Sequence, residues 1–164
     1  MCTAVVVHAT LFTMLTSNHT LYQQLSTEQE YSQDQFNEFL EHLESAPIIC
    51  AYLFGSRVRE EHRPDSDVDI AIVPKEAVTL DYAERGQLQE QLQAYIPNLT
   101  VQLTTLSEKA SPIVTQKAIS GLPIVVNDQF AKNAFEVQAY RRYRRARHLT
   151  DIYMQYATPA MLKG

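Results

Sequence analysis

Tryptophan is absent from this chain, and there are only two cysteines and four glycines. Cys2 and Cys50 cannot build a disulfide framework, and neither lies at metal-ligand spacing from the other or from a histidine. The chain has no internal repeat and no run close to the roughly 18 apolar residues of a membrane span. These absences argue against a disulfide-rich secreted domain, a cysteine-rich metal module and a membrane-spanning protein, and we expect a cytoplasmic protein.

Basic side chains are missing from residues 1–47, which carry six acidic side chains. The last 33 residues carry seven basic and two acidic side chains, although the whole chain has a net charge of −5. With 164 residues, 45% apolar and 20% charged, the composition is that of one ordinary globular domain. The basic C-terminal part is therefore a candidate contact for phosphate groups or for an acidic partner.

Hydrophobic periodicity predicts alternating helices and strands. Residues 1–30 show no clean period and are expected to be a leader, so that residues 31–164 form a single domain with its core at 48–126. Cys50 lies in an apolar run and is expected to be a reduced core residue. The first predicted elements are a helix that begins at Gln33 and is stopped by Pro47, strands over 48–54 and 67–73, and a helix ending near Tyr95. A strand over 99–106, a helix capped by Ser107 and an edge strand over 123–126 are expected to follow. The last element is a long helix over about 128–156, with Leu149 in an apolar stripe.

The stretch from Leu53 to Val73 carries the main chemical signal. Gly55-Ser56 follows the first strand, and ten residues separate it from Asp67-Val68-Asp69 at the start of the second strand. Alternation along a strand places Asp67 and Asp69 on one face, where two close carboxylates need a cation between them. Oxygen ligands suit Mg²⁺, glycine allows a phosphate to approach the backbone, and the serine hydroxyl can bind an anion. The combination predicts a site for a metal-bound nucleoside triphosphate, whereas a lone Asp-x-Asp is usually a solvated strand edge.

These residues and their spacing resemble the signature of the DNA polymerase beta-like nucleotidyltransferase superfamily. The small size of the chain and the pattern of residues 99–126 resemble its minimal nucleotidyltransferase (MNT) branch. The resemblance covers about residues 48–126 and implies an α/β (α+β) fold. The expected architecture is the polymerase-beta palm, a small mixed sheet flanked by helices and followed by a long C-terminal helix.

The resemblance also implies a reaction. Gly55 and Ser56 would bind the triphosphate of ATP, and Asp67 and Asp69 would bind Mg²⁺ and act with Ser56 in catalysis. Apart from the resemblance, Arg57 lies in the spacer beside Ser56 and is expected to help neutralise the triphosphate, unless it is simply an exposed loop charge. A hydroxyl nucleophile would attack the α-phosphorus and pyrophosphate would leave, with the metal neutralising the developing charge.

Gln102 departs from the family pattern. Relatives carry a third carboxylate on the next strand, in a sequence such as Val-Asp-Leu, and this chain has Val101-Gln102-Leu103. Glutamine offers a neutral oxygen and cannot accept the proton of the nucleophile. The resemblance therefore implies a nucleotide-binding metal, while the departure indicates weakened or lost turnover.

MNT proteins of this kind typically act as the antitoxin of a HEPN ribonuclease toxin, in a type VII toxin–antitoxin pair, and some transfer AMP to a tyrosine of the toxin. We therefore expect a HEPN partner and a hetero-oligomer, with no direct binding of nucleic acid. One face of the terminal helix is the candidate partner surface, unless it is simply a solvated face. The alternatives are a catalytically inactive binding module and, less well supported, a small-molecule nucleotidyltransferase. The candidate partner-binding residues are Arg141, Arg144, Arg145 and His148.

Overall fold

The computed structural model describes residues 33–58, 66–75 and 80–161, with side chains up to residue 151. The leader predicted over residues 1–30 lies outside these ranges. Four helices, four strands and one short turn of 3₁₀ helix follow one another along the described chain. They are α1 (Gln33–Ser45), β1 (Ile48–Phe54), the 3₁₀ turn (Gly55–Val58), β2 (Val68–Pro74), α2 (Tyr82–Tyr95), β3 (Val101–Thr105), α3 (Pro112–Ile119), β4 (Leu122–Val126) and α4 (Gln129–Met161).

The strands form one mixed sheet in the order β3-β2-β1-β4. Strand β1 pairs antiparallel with both β2 and β4, whereas β2 and β3 run parallel. The parallel pair requires a crossover, which α2 supplies. The edge position expected for the strand that contains Pro123 is confirmed, because β4 has a single neighbour.

Helices cover both faces of the sheet. One core contains the apolar stripe of α1, including Phe39 and Leu43, together with Leu88 and Leu92 of α2 and one face of the strands. The second core lies on the opposite face and joins Tyr52 to residues of α3 and α4. The strand alternation read from the sequence is confirmed, and the sheet is therefore buried on both sides as its apolar strands require.

Cys50 is a fully buried core residue, as its apolar neighbours in the sequence predict. Burial raises the pKa of its thiol to about 11. The thiol therefore stays protonated near neutral pH, which is typical of an inert structural cysteine.

Gln93 of α2 closes the outer edge of β3. Its side chain donates to the carbonyl groups of Ile96 and Leu99 at 2.8 and 2.6 Å and accepts from the backbone N–H of Val101 at 2.8 Å. Gln89, one helical turn earlier, accepts from the N–H of Leu103 at 3.2 Å. Two glutamines thus bind strand groups that would otherwise face solvent at a sheet edge.

Helix α3 begins later than the sequence predicts. Ser107 does not cap it; residues 107–110 form a turn, and the helix starts at Pro112 with Ser111 as the preceding residue. The missing N–H and fixed φ of proline suit the first helical position, so Pro112 sets the start.

Helix α4 contacts the rest of the domain through its first half. Ala139 is buried, Phe135 packs against the second core, and the hydroxyl of Tyr52 donates to Glu136 at 2.8 Å. Leu149, part of the apolar stripe expected on this helix, is 67% exposed and is therefore not buried against the part of the domain that the structure describes. Among the residues that the structure describes, no helix is both long and apolar enough to cross a membrane.

Candidate active site

The C-terminal end of β1 and the N-terminal ends of β2 and β3 lie together at one end of the sheet. The antiparallel pairing of β1 and β2 places Phe54 opposite Asp69, so the chain leaves β1 beside the place where it enters β2. The parallel pairing of β2 and β3 places Gln102 beside Asp69. Residues distant in the sequence, Gly55, Asp69 and Gln102, are thereby brought together by the strand register.

Gly55 lies directly against the carboxylate of Asp69. Its φ of +81° is the only positive φ in the described chain, and a Cβ built there would lie 2.1 Å from Oδ2 of Asp69. Glycine is therefore required twice, first by the backbone conformation and again by the carboxylate that occupies the space of a side chain.

Asp67 and Asp69 face the same side of the sheet, as the alternation predicts, opposite the buried Val68. Burial and the neighbouring charge of Asp67 raise the pKa of Asp69 above its usual value. Both effects disfavour the ionised form of Asp69, and a bound cation would favour that form.

The side-chain amide of Gln102 is hydrogen-bonded to Asp67. Its Nε2 donates to Oδ2 of Asp67 at 2.5 Å. Gln102 therefore lies at the carboxylate cluster, where the strand alignment places it, and it contributes a hydrogen-bond donor instead of a third negative charge.

Ser56 and Arg57 follow Gly55 in the 3₁₀ turn. Ser56 is half-buried, whereas Arg57 is only 3% exposed and its Nε donates to the carbonyl of Ser66 at 2.7 Å. Arg57 thereby ties the turn after β1 to the segment that enters β2. The proposed contact of Arg57 with a triphosphate stays a prediction, and in the structure its side chain joins the two halves of the motif.

The donor set suits one hard divalent cation. Asp67 and Asp69 supply carboxylate oxygens at one strand end, which are the ligands that Mg²⁺ prefers. Within the described ranges, no group of three or more histidine, cysteine, aspartate or glutamate side chains could hold a metal ion. Asp67 and Asp69 are thus the residues that would hold a Mg²⁺ ion, with oxygen atoms from outside the chain completing its coordination.

The candidate partner residues lie on an exposed face of α4. Arg141, Arg144, Arg145 and His148 are all exposed, and none makes a hydrogen bond or ion pair with another residue in the described part of the chain. The neighbouring Arg142 behaves differently, since its guanidinium donates to the carbonyls of Ser107, Glu108 and Ala110. Arg142 therefore joins α4 to the turn before α3.

Three apolar side chains continue the same face of α4 and were missed in the sequence. Phe130 is 86% exposed, and Val137 and Tyr140 are each 52% exposed. Val137 lies two helical turns after Phe130 and one turn before Arg141, so the apolar and basic residues form one surface, here called the α4 face. The seven-residue spacing of Phe130 and Val137 is visible in the sequence and was a usable signal for this face.

The comparisons with known proteins agree with this architecture. The family model described as "Polymerase beta, Nucleotidyltransferase" matches residues 34–130, which is more than half of the chain. The chain therefore belongs to the polymerase beta nucleotidyltransferase family. No curated protein matches it significantly in sequence.

Several solved structures share the fold at low sequence identity. A chain of a toxin–antitoxin crystal structure with AMP-PNP is 24% identical, with a TM-score of 0.58, and the match covers 78% of this chain and 97% of that chain. A chain of a rebuilt structure of the tri-AMPylated Shewanella oneidensis HEPN toxin with its MNT antitoxin is 22% identical, with a TM-score of 0.54 and coverage of 79% and 98%. A chain of the MntA–HepT toxin–antitoxin structure is also 22% identical, with a TM-score of 0.54, and the match covers 79% of this chain and 99% of that chain. At these identities the likeness establishes the fold.

Proposed function

We propose that this protein is the antitoxin of a HEPN/MNT pair, which binds Mg-ATP and neutralises its toxin by complex formation, by AMP transfer to a toxin tyrosine, or by both. The observation that carries the proposal is the placement of Gly55 against Asp69, with Asp67 beside it. This arrangement supports phosphate binding next to a metal-binding carboxylate pair. The neighbouring structures with HEPN toxins support the choice of partner.

The reaction at such a site is a nucleotidyl transfer. The tyrosine oxygen of the acceptor forms a bond to the α-phosphorus of ATP, the bond from that phosphorus to the bridging oxygen breaks, and pyrophosphate leaves while the hydroxyl proton passes to water. Mg²⁺ supplies charge neutralisation when bound. Gly55 allows the close approach of phosphate, and Asp67 and Asp69 hold the cation.

The α4 face supports the partner proposal. It presents arginines with no ion-pair partner in the described chain beside exposed aromatic and aliphatic side chains. Arginine and aromatic residues are enriched in protein interfaces, and arginine binds carboxylates in a bidentate manner. The surface fits a partner with acidic and apolar side chains.

The test is rescue of growth when the protein is co-expressed with a HEPN toxin. Wild type is compared with Asp67→Ala plus Asp69→Ala, and with Glu38→Ala plus Glu41→Ala, which removes two exposed carboxylates from α1 as a charge-matched control. Rescue by wild type and the control, with loss in the aspartate variant, supports enzymatic neutralisation. Rescue by all three supports neutralisation by complex formation. Failure of wild type to rescue contradicts the antitoxin role.

A second candidate function is favoured by one observation. The hydrogen bond from Gln102 to Asp67 places a neutral donor where the resemblance expects a third carboxylate. A binding module without turnover would neutralise its toxin only by contact. Purified complex incubated with ATP distinguishes the two candidates, because only the enzyme adds the mass of AMP to the toxin.

A further inference from the structure

The Gln102 amide presents an N–H donor to Asp67 at the position where the family resemblance implies a third carboxylate. Its Nε2 donates to Oδ2 of Asp67 at 2.5 Å. We propose that Gln102 takes the place of a second cation, so that this site holds one divalent cation per chain. The inference deepens the proposed function and rests on it, since it concerns the same nucleotide site.

Distances oppose a cation between Gln102 and Asp67. Two oxygen atoms bound to one Mg²⁺ at its usual bond lengths are roughly 3 Å apart or more. The two side-chain atoms here are 2.5 Å apart, and the amide nitrogen points a hydrogen toward the carboxylate. The opposite amide orientation would set two acceptor oxygens against each other, so the donor orientation is the favourable one.

The charge balance leads to the same stoichiometry. Asp67 and Asp69 together carry two negative charges when ionised, which one divalent cation neutralises. Because Gln102 is neutral, the chain supplies one negative charge fewer than the three-carboxylate pattern of the family, and so less charge to hold a second divalent cation.

Gln102 consequently acts as a positioning residue. By donating to Oδ2 of Asp67 it would orient that carboxylate and leave Oδ1 as the oxygen available to a cation. Replacing Gln102 by a carboxylate residue would exchange the hydrogen-bond donor for a metal ligand. Replacing it by an apolar residue would remove the donor without adding a ligand.

The experiment titrates Mn²⁺ into the protein with ATP present and counts the bound ions at saturation by electron paramagnetic resonance. We expect the spectrum of an isolated Mn²⁺ ion and a stoichiometry of one in wild type. Gln102→Asp should bind a second ion and give the spectrum of a spin-coupled pair, since paired ions in such sites are about 4 Å apart. Gln102→Leu is the matched control and should remain at one ion.

The outcomes separate the inference from the proposed function. Two coupled ions in wild type overturn the inference and leave Mg-ATP binding intact. No protein-bound Mn²⁺ in wild type, with or without ATP, overturns metal–nucleotide binding itself. Gln102→Glu is the second carboxylate variant, used if Gln102→Asp fails to fold by circular dichroism. A folded carboxylate variant that still binds one ion shows that residue 102 is not at a cation position, which also overturns the inference.

Discussion

The α-carbon of Gly55 faces the carboxylate of Asp69 with no room for a methyl group between them. A Cβ at position 55 would lie 2.1 Å from Oδ2 and 2.9 Å from Cγ of Asp69. The turn that follows β1 and the acidic residue of β2 are thus packed against each other. Any side chain at position 55 must displace the residue expected to bind the metal.

Gly55→Ala should therefore damage stability and ligand binding together. The positive φ and the clash with Asp69 predict a loss of about 1 to 3 kcal/mol in unfolding free energy, measured by urea titration. Gly86→Ala is the control, because a Cβ there meets nothing within 4 Å in the middle of α2. The control should gain about 0.5 to 1 kcal/mol. Equal stability of the Gly55 variant and wild type would contradict the packing described here.

Asp69→Asn should stabilise the metal-free protein near neutral pH. Burial and the charge of Asp67 raise the pKa of Asp69 in the folded state above its unfolded value, so folding favours the protonated form. At low pH the carboxyl is protonated in both states and carries no penalty. As pH rises through the unfolded and then the folded pKa, ionisation in the folded state becomes a growing cost that asparagine avoids.

The measurement is urea unfolding in a chelator, from acidic to neutral pH. The advantage of Asp69→Asn over wild type should grow as the pH rises and disappear as it falls. Asp151→Asn removes the same charge from an exposed position on α4 and serves as the control. An advantage that is independent of pH would exclude the titration of Asp69 as its cause.

Gln93→Ala should destabilise the protein by removing hydrogen bonds at the outer edge of β3. The side chain makes three hydrogen bonds to backbone groups of the loop and strand that follow α2, and the loss predicts a destabilisation of about 2 to 4 kcal/mol by thermal or urea unfolding. Gln87→Ala, on the exposed side of the same helix, should change stability by less than about 0.5 kcal/mol. Similar effects of the two substitutions would show that the hydrogen bonds contribute nothing net.

Tyr52→Phe should weaken the attachment of α4 to the sheet. The hydroxyl of fully buried Tyr52 donates to Glu136, which also pairs with Lys132 at 2.8 Å, and burial raises the pKa of the phenol. Removing the hydroxyl should cost about 1 to 2 kcal/mol in unfolding free energy. Tyr140→Phe, on the exposed face of α4, is the control and should be nearly neutral. A neutral Tyr52→Phe would mean that Glu136 finds an equally good partner.

Local patterns in the sequence were enough to place the strands and the shared face of Asp67 and Asp69. The alternation of apolar and polar residues and the apolar runs are properties of short segments, which can be read without knowing how the chain folds. The hydrogen bond between Gln102 and Asp67 and the contact between Gly55 and Asp69 depend on how strands pair, which periodicity does not specify. The later start of α3 was readable, since Pro112 is favoured at a first helical position, but Ser107 offered a competing cap. Gln93 and Arg142 hydrogen-bond to backbone groups, of the segment that follows α2 and of the turn before α3 respectively, and hydrophobic periodicity does not report such contacts.

The α4 face should be required for binding the toxin and dispensable for folding. Changing Arg141, Arg144 and Arg145 to Glu replaces exposed positive charge with negative charge and should repel an acidic partner surface. The control changes three other exposed basic residues to Glu, with the same change in net charge. These are Lys75, Lys109 and Lys117.

Both triple variants should unfold at nearly the wild-type urea concentration, because none of the six side chains is buried. In co-purification with the HEPN toxin at low salt, the arginine variant should lose the toxin while the lysine variant retains it. Binding of the wild type should weaken as salt increases, since exposed charge pairs are screened. Retention of the toxin by a folded arginine variant would place the interface elsewhere on the molecule, even if the protein is an antitoxin.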